Sequence, residues 1–274
     1  DLTISRTGEE EFYIVTGSAF GVHDRSWIEK HSPRDDSVVI DDLTEEFGVI
    51  NLCGPHARDV LQNVTDDDIS NETLPFSSYA DIRVAGHPVR AMRIGYVGEL
   101  GWEMHMGREN MPAVYKALAE AGSQYDIADV GYRAIDSLRM EKGYLYWSSD
   151  ISPDYNPFEA GLGFRVNMKK GDFIGLDALI SIKGNGGPKR KIAYFTLEKY
   201  MPVYGSEPIM REGRILDVTT SANFGYTIGK PLVFGYLPVQ EFENRNFSVE
   251  AFGEIVPATR HDGPLYDPDM KKLK

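Results

Sequence analysis

Apolar and polar positions set out most of the elements before any chemistry is considered. Leu2 to Ser5 and Glu11 to Thr16 carry β-formers on either side of Arg6-Thr7-Gly8-Glu9, which predicts a hairpin. Ser18 to His31 spaces Phe20, Val22, Trp27 and Ile28 among charges, which predicts a helix stopped by Pro33. A short strand is expected over Val38 to Ile40, an acidic turn over Asp41 to Glu46 and a buried strand over Phe47 to Cys53. Gly54-Pro55 then opens a helix, His56 to Gln62, with proline near the start where its missing N–H costs little. Ala80 to Val84 and Val89 to Gly95 read as strands across Gly86-His87-Pro88. A further alternating run, Gly101 to Met106, follows a glycine-rich turn in which Gly98 and Gly101 permit backbone shapes a Cβ would resist.

Helical spacing returns at Asn110 to Ser123, with Met111, Val114, Leu118 and Ala121 on one face. It recurs at Tyr132 to Gly143, with Ile135, Leu138 and Met140 inward. Asp136, Glu141, Arg133, Arg139 and Lys142 give this second helix a charged face, read as solvated ion pairs. Tyr144 to Asp172 is aromatic-rich, proline-punctuated and irregular, the character of a binding loop. Asp172 to Ile182 predicts a short helix. Beyond it the pattern changes to short strands: Ile192–Leu197, Pro208–Met210, Arg214–Thr219, Tyr226–Ile228, Leu232–Tyr236, Phe247–Phe252 and Glu254–Thr259. The expected organisation is an α+β domain over 1–183, a glycine-rich basic linker over 184–191 and a small antiparallel all-β barrel over 192–274.

Composition narrows the partners. The 274 residues carry a formal net charge of −13 and a pI near 4.9, which argues against nucleic acid and anionic membranes. No apolar run is long enough for a membrane-spanning helix, and no signal peptide is visible. The one cysteine, Cys53, cannot form an internal disulfide, so a reducing compartment is expected. Within its apolar run it reads as a small buried hydrophobe rather than a nucleophile. The six histidines show no metal-ligand spacing, and no nucleotide-binding or serine-hydrolase motif is present. The chain opens D-L-T-I-S, which reads as the middle of a strand and so as a piece cut inside its first domain.

The candidate chemistry lies around R-I-G-Y-V-G-E-L-G-W-E-M-H, Arg93 to His105. Aromatic faces beside carboxylates suit a flat, nitrogen-rich heterocycle: rings stack on it, and a carboxylate accepts its N–H donors. The competing reading is an ordinary hairpin with Tyr96 and Trp102 in the core.

Further segments turn this stretch into a resemblance. G-V-I-N-L-C-G-P-H-A-R-D-V-L, Y-V-G-E-L-G-W-E, D-S-L-R-M-E-K-G-Y, D-I-S-P-D-Y-N-P-F-E-A-G-L-G-F, K-G-D-F-I-G-L-D-A-L, T-S-A-N-F-G-Y-T-I-G-K and P-L-Y-D-P follow one another in order. Together they resemble the aminomethyltransferase family, the folate-binding T-protein of the glycine cleavage system, over nearly the whole chain. G-E-L-G-W-E, E-K-G-Y-x-x-W and the aromatic loop are similar to one branch, the folate-binding C-terminal half of dimethylglycine and sarcosine dehydrogenases.

The resemblance implies a tetrahydrofolate-binding module for one-carbon transfer. Its partners would be a methylated-amine-derived iminium or formaldehyde, and an FAD-binding domain upstream in the same parent chain, so that no FAD site lies here. It implies a cytoplasmic location, or the mitochondrial matrix in a eukaryote. Position by position it implies Asp1 as the catalytic carboxylate, followed by Leu2 and Thr3. Tyr96, Glu103 with Met104 and His105 after it, and Phe164 would be the other folate-binding residues. Glu103 would take the pterin donors in a charge-assisted pair contributing about 1.5–3 kcal/mol. Trp102 reads more readily as core.

One position departs from the family pattern. T-proteins carry an arginine for the folate tail where this chain has Ile135, which favours the dehydrogenase branch and leaves Arg133 or Arg139 to replace it. Alternatives are a stand-alone aminomethyltransferase, a folate-dependent demethylase, or a non-catalytic folate-binding or regulatory relative. The iron–sulfur branch would show a K-G-C-Y-type motif, which is absent.

Overall fold

A computed structural model describes residues 2–273, which form two compact units. One comprises residues 2–95 and Glu99–Ala128; the other comprises Tyr96–Gly98 and Asp129–Leu273. The break between them at Ala128 and Asp129 precedes the second amphipathic helix. The 184–191 segment lies inside the second unit, between a helix ending at Gly184 and a strand starting at Arg190.

The first unit is α+β. Strands β1 (Leu2–Arg6) and β2 (Phe12–Thr16) form the expected hairpin, followed by helix α1 (Gly21–His31). Strands β3 (Phe47–Cys53), β4 (Tyr79–Val84), β5 (His87–Met92) and β6 (Gly101–Gly107) make an antiparallel sheet in the order β3-β6-β5-β4. Helices α2 (Ala57–Gln62) and α3 (Met111–Gly122) cover one face of it. That face contributes Leu52, Ile82, Val84, Val89, Ala91, Trp102, Met104 and Met106, which pack against Leu61, Val114 and Leu118. Period-two alternation does the sorting: Trp102, Met104 and Met106 lie in this core, and Glu103 and His105 point away from it.

Gly101 has a specific reason to lack a side chain. It pairs with Cys53, and a Cβ there would sit 2.4 Å from the Leu52 carbonyl oxygen.

Val38 to Ile40 is not a strand: the segment has no ladder partner, and Val39 is 81% exposed. Cys53 is exposed rather than buried, because the same alternation that sends Leu52 inward sends Cys53 outward.

The second unit is built on a closed six-stranded antiparallel barrel. Its strands are β7 (Arg190–Leu197), β8 (Pro208–Arg211), β9 (Arg214–Gly225), β10 (Lys230–Pro238), β11 (Asn246–Ala251) and β12 (Glu254–His261), in the order β10-β7-β12-β11-β8-β9. Strand β9 runs on to Gly225, and Tyr226–Ile228, expected as a strand of its own, is the turn into β10.

Strands β7 and β10 are buried on both faces, as their nearly continuous apolar runs suggest. Ala193, Phe195, Val233 and Leu237 line the barrel interior. Ile192, Leu232, Phe234 and Tyr236 face outward and are covered by Met140 of helix α4 (Tyr132–Glu141) and by Leu145 and Tyr155. Much of the aromatic segment 144–172 is therefore barrel cover: Tyr155 stacks on Tyr236 with centroids 3.8 Å apart, and Glu159 O accepts from Ile192 N. Helix α5 (Leu176–Gly184) follows it.

Helix α4 reverses the expectation of a solvated charged face. Arg139, Glu141 and Lys142 are 2%, 1% and 4% exposed. The Arg139 guanidinium bonds Asp136 (2.8 Å), Asp150 (2.7 Å), the Tyr144 carbonyl (3.0 Å) and Ser221 Oγ (2.9 Å). Burial alone would push its pKa down, but the Asp150 and Asp136 carboxylates outweigh that and raise it. Glu141 Oε1 accepts the backbone N–H groups of Thr227 and Ile228 at 2.7 and 2.8 Å. Lys142 Nζ donates to the side chain and carbonyl of Asp267 at 3.0 and 2.6 Å. These charges are buried because each meets a ready-made acceptor or donor from β9, the turn that follows it, the 144–150 segment or the 264–268 tail.

Candidate functional site

Strand β6 positions the two polar residues singled out from its sequence. Glu103 and His105 are two residues apart, so they share the face opposite the core. On that face Glu103 lies between Asn51 of β3 and Met92 of β5, and His105 lies between Val49 and Arg90. The Glu103 side chain keeps 23% of its surface open, whereas His105 is 2% exposed. Their nearest polar atoms, Glu103 Oε2 and His105 Nε2, are 3.5 Å apart. That is ion-pair range without hydrogen-bond geometry, and His105 Nε2 has no hydrogen-bond partner among the described residues.

The hairpin supplies the lid over His105. The Tyr13 hydroxyl lies 3.1 Å from His105 Nδ1, and the two rings meet edge to face at 5.5 Å. Arg90 lies 5.2 Å from the centroids of both Tyr13 and Tyr79, and Asp81 holds it through two bonds of 2.8 and 3.0 Å. Burial raises the Tyr13 pKa; Arg90 opposes the shift and Glu103 adds to it, so the phenol stays protonated at neutral pH. Tyr13 was not among the residues singled out from the sequence. It lies 92 positions from His105, and only its place in the alternating β2 run hints at an inward side chain.

The other residues carried over from the resemblance are distributed differently. Met104 points into the core at 0% exposure, so only its backbone shares the strand with Glu103's face. Trp102 is likewise core. Leu2 is 37% exposed and Thr3 half-buried on β1, paired with Thr16 and Val15. Asp1 lies outside the described residues.

Tyr96 and Phe164 belong to the second unit. The Tyr96 hydroxyl donates to the Leu145 carbonyl at 2.7 Å, its ring stacks on Tyr144 with centroids 5.9 Å apart, and burial pushes its pKa up. Gly98 in the same short segment adopts φ +79°, and a Cβ there would meet the Lys142 stem at 2.9 Å. Phe164 is 76% exposed, with the Arg165 guanidinium 5.0 Å from its ring centroid. Of the two arginines considered for a folate tail, Arg139 is fully engaged inside the unit and Arg133 is exposed.

Residues 1–170 match the model of the GCVT N-terminal domain, and residues 190–267 match that of the glycine cleavage T-protein C-terminal barrel domain. The chain belongs to the glycine cleavage T-protein family. Mitochondrial sarcosine dehydrogenase of Mus musculus is 38% identical over 96% of this chain, which spans 30% of that protein. Mitochondrial dimethylglycine dehydrogenase of Homo sapiens is 38% identical over the whole chain, which spans 32% of it. Among solved structures, the glycine cleavage system aminomethyltransferase T from Bartonella henselae superposes with a TM-score of 0.81 at 25% identity, covering 96% of this chain and 71% of the other. The chain thus spans about a third of the length of these two dehydrogenases. Among the described residues no helix is long and apolar enough to cross a membrane.

Proposed function

We propose that this aminomethyltransferase-like region is the tetrahydrofolate-binding, one-carbon transfer module of a dimethylglycine or sarcosine dehydrogenase-like protein. The observation that carries the reading is Glu103: a partly open carboxylate on a central strand, with its neighbours on the opposite face locked in the core. Such an acid accepts the N–H donors of a pterin without first having to be ordered. Bound tetrahydrofolate supplies the nitrogen nucleophiles that take up a one-carbon unit as 5,10-methylenetetrahydrofolate.

The chain's own residues bind and orient. Glu103 fixes the pterin edge. Asp1 is the carboxylate assigned to positive charge near the reacting nitrogen, typically a hundred- to ten-thousand-fold effect. Leu2 and Thr3 follow it on β1, and Tyr96 and Phe164 are aromatic contacts to be tested one substitution at a time. The carbon would arrive as an iminium, or as formaldehyde after its hydrolysis, from an amine oxidised at an FAD domain of the parent. Ile135, where T-proteins carry the tail arginine, supports this branch over a stand-alone aminomethyltransferase.

The decisive experiment titrates tetrahydrofolate into the complete protein and its Glu103→Ala variant. The expected result is at least about tenfold weaker binding in the variant, about 1.4 kcal/mol. Equal affinities refute the reading.

A further inference from the structure

We infer that Tyr13 and His105 form a two-step relay that orients Glu103, so that His105 acts through the glutamate rather than on the ligand. This rests on the folate reading of Glu103. His105 is almost fully buried beneath Tyr13, so its ring cannot lie against a bound heterocycle as an open wall would. Its two nitrogens have different neighbours. Nδ1 faces the Tyr13 hydroxyl at 3.1 Å, and Nε2 faces Glu103 Oε2 at 3.5 Å with no hydrogen-bond partner among the described residues.

The phenol decides the tautomer. With the Tyr13 O–H donated to Nδ1 at 3.1 Å, an imidazole with a single ring proton carries it on Nε2, where it faces the Glu103 carboxylate. An Nε2–H donor buried without an acceptor is destabilising, and the nearest acceptor is the Glu103 carboxylate. A small rotation of Glu103 closes that gap. It commits Oε2 to His105 and leaves Oε1, on the partly open side chain, for the ligand's donors. Arg90, anchored by Asp81, lies over the Tyr13 ring 5.2 Å from its centroid and helps to hold it in place. Tyr13 and His105 are thus positioning residues for Glu103, in the way outer partners orient ligating side chains elsewhere.

The test is a double-mutant cycle in the complete protein, with tetrahydrofolate as the probe. Tyr13→Phe keeps the ring and removes only the donor. It should weaken binding about five- to tenfold in the wild-type background and by less than about twofold in a Glu103→Gln background, because the residues act as a unit. Nitrogen-15 NMR of the His105 ring should show the Nε2–H tautomer in wild type and a mixture in Tyr13→Phe. An Nδ1–H tautomer in wild type overturns the relay, as does equal weakening in both backgrounds. A loss with Glu103→Ala but none with Tyr13→Phe overturns the relay alone. No loss with Glu103→Ala overturns the folate reading and the relay with it.

Discussion

Helices α1 and α4 carry similar densities of charge, and the protein uses them in opposite ways. No residue of α1 is buried; Val22 and Trp27 are 85% and 51% exposed, and Arg25 reaches Glu29 and Asp42 in open ion pairs. At the C-terminal end of α4 Arg139, Glu141 and the capping Lys142 are buried, whereas Tyr132 and Arg133 at its start are exposed. What separates them is whether another element brings a matching polar group to the same place. Asp150, Ser221, the Thr227 and Ile228 amides and Asp267 do so for α4. For α1 the outside partners are the Thr16 hydroxyl, which donates to Asp24, and Asp42, which meets Arg25, and neither encloses the charge. A charge pattern along a helix therefore fixes which groups need partners, and the rest of the chain decides whether they are solvated or enclosed.

The largest loss of stability is expected at Asp150. Its side chain has 0% exposure and accepts from Arg139, the Tyr146 amide and Thr220. Asp150→Ala leaves the Arg139 guanidinium enclosed without its main counter-charge. The expected loss is about 3–5 kcal/mol of unfolding free energy, read by urea denaturation. An unchanged midpoint would mean that the pair is not enclosed.

A smaller effect is expected at Asp267, which faces Lys142 with side chains 7% and 3% exposed. Asp267→Asn keeps the shape and removes the charge, for an expected loss of about 1–3 kcal/mol. Burial alone would raise the Asp267 pKa, but the Lys142 ammonium and the Lys272 and Lys271 amides outweigh it and hold the carboxyl below its ordinary value of 3.8. A carboxyl depressed on folding contributes stability that is fully present above that ordinary value. The contribution is lost as pH falls below 3.8 through the folded-state pKa. The wild-type and Asp267→Asn stability curves should therefore converge at the acid end; parallel curves down to pH 2 would contradict the assignment.

The smallest effect belongs to α1. Arg25→Ala should leave the denaturation midpoint unresolved from wild type, since both of its partners are open to solvent and salt screens them. A clear drop would show that α1 depends on its charges as α4 does.

Alternation and glycine punctuation were enough to read most of the architecture. The β1–β2 hairpin, the strands of the sheet, α2, α3 and the barrel follow from local pattern, and the ordered motifs carried the family. Val38 to Ile40 misled because three β-formers in a row have no ladder unless another strand offers one. Tyr226–Ile228 misled because β-forming residues also serve in a turn when the hydrogen bonds are made by Gly225 and Gly229.

At the site, Glu103, His105 and the buried set of Trp102, Met104 and Met106 could be separated by period two alone. Tyr13 could not, because its role depends on a long-range contact that no window of sequence contains. The enclosure of α4 was hidden for the same reason. Its acceptors and donors come from as far away as Asp267, and composition alone made the helix look like a surface.

The Lys142–Asp267 pair also sets a clock. The two residues are 125 positions apart, and Lys142 packs its stem under Gly98 while its ammonium waits for the carboxylate. At synthesis rates of about 5–20 residues per second, roughly 6–25 s pass between the two leaving the ribosome's active centre. Throughout that interval the helix carrying Lys142 cannot settle into its final surroundings without enclosing a lone ammonium. The enclosure of Lys142 with its counter-charge is therefore complete only once the tail has been made.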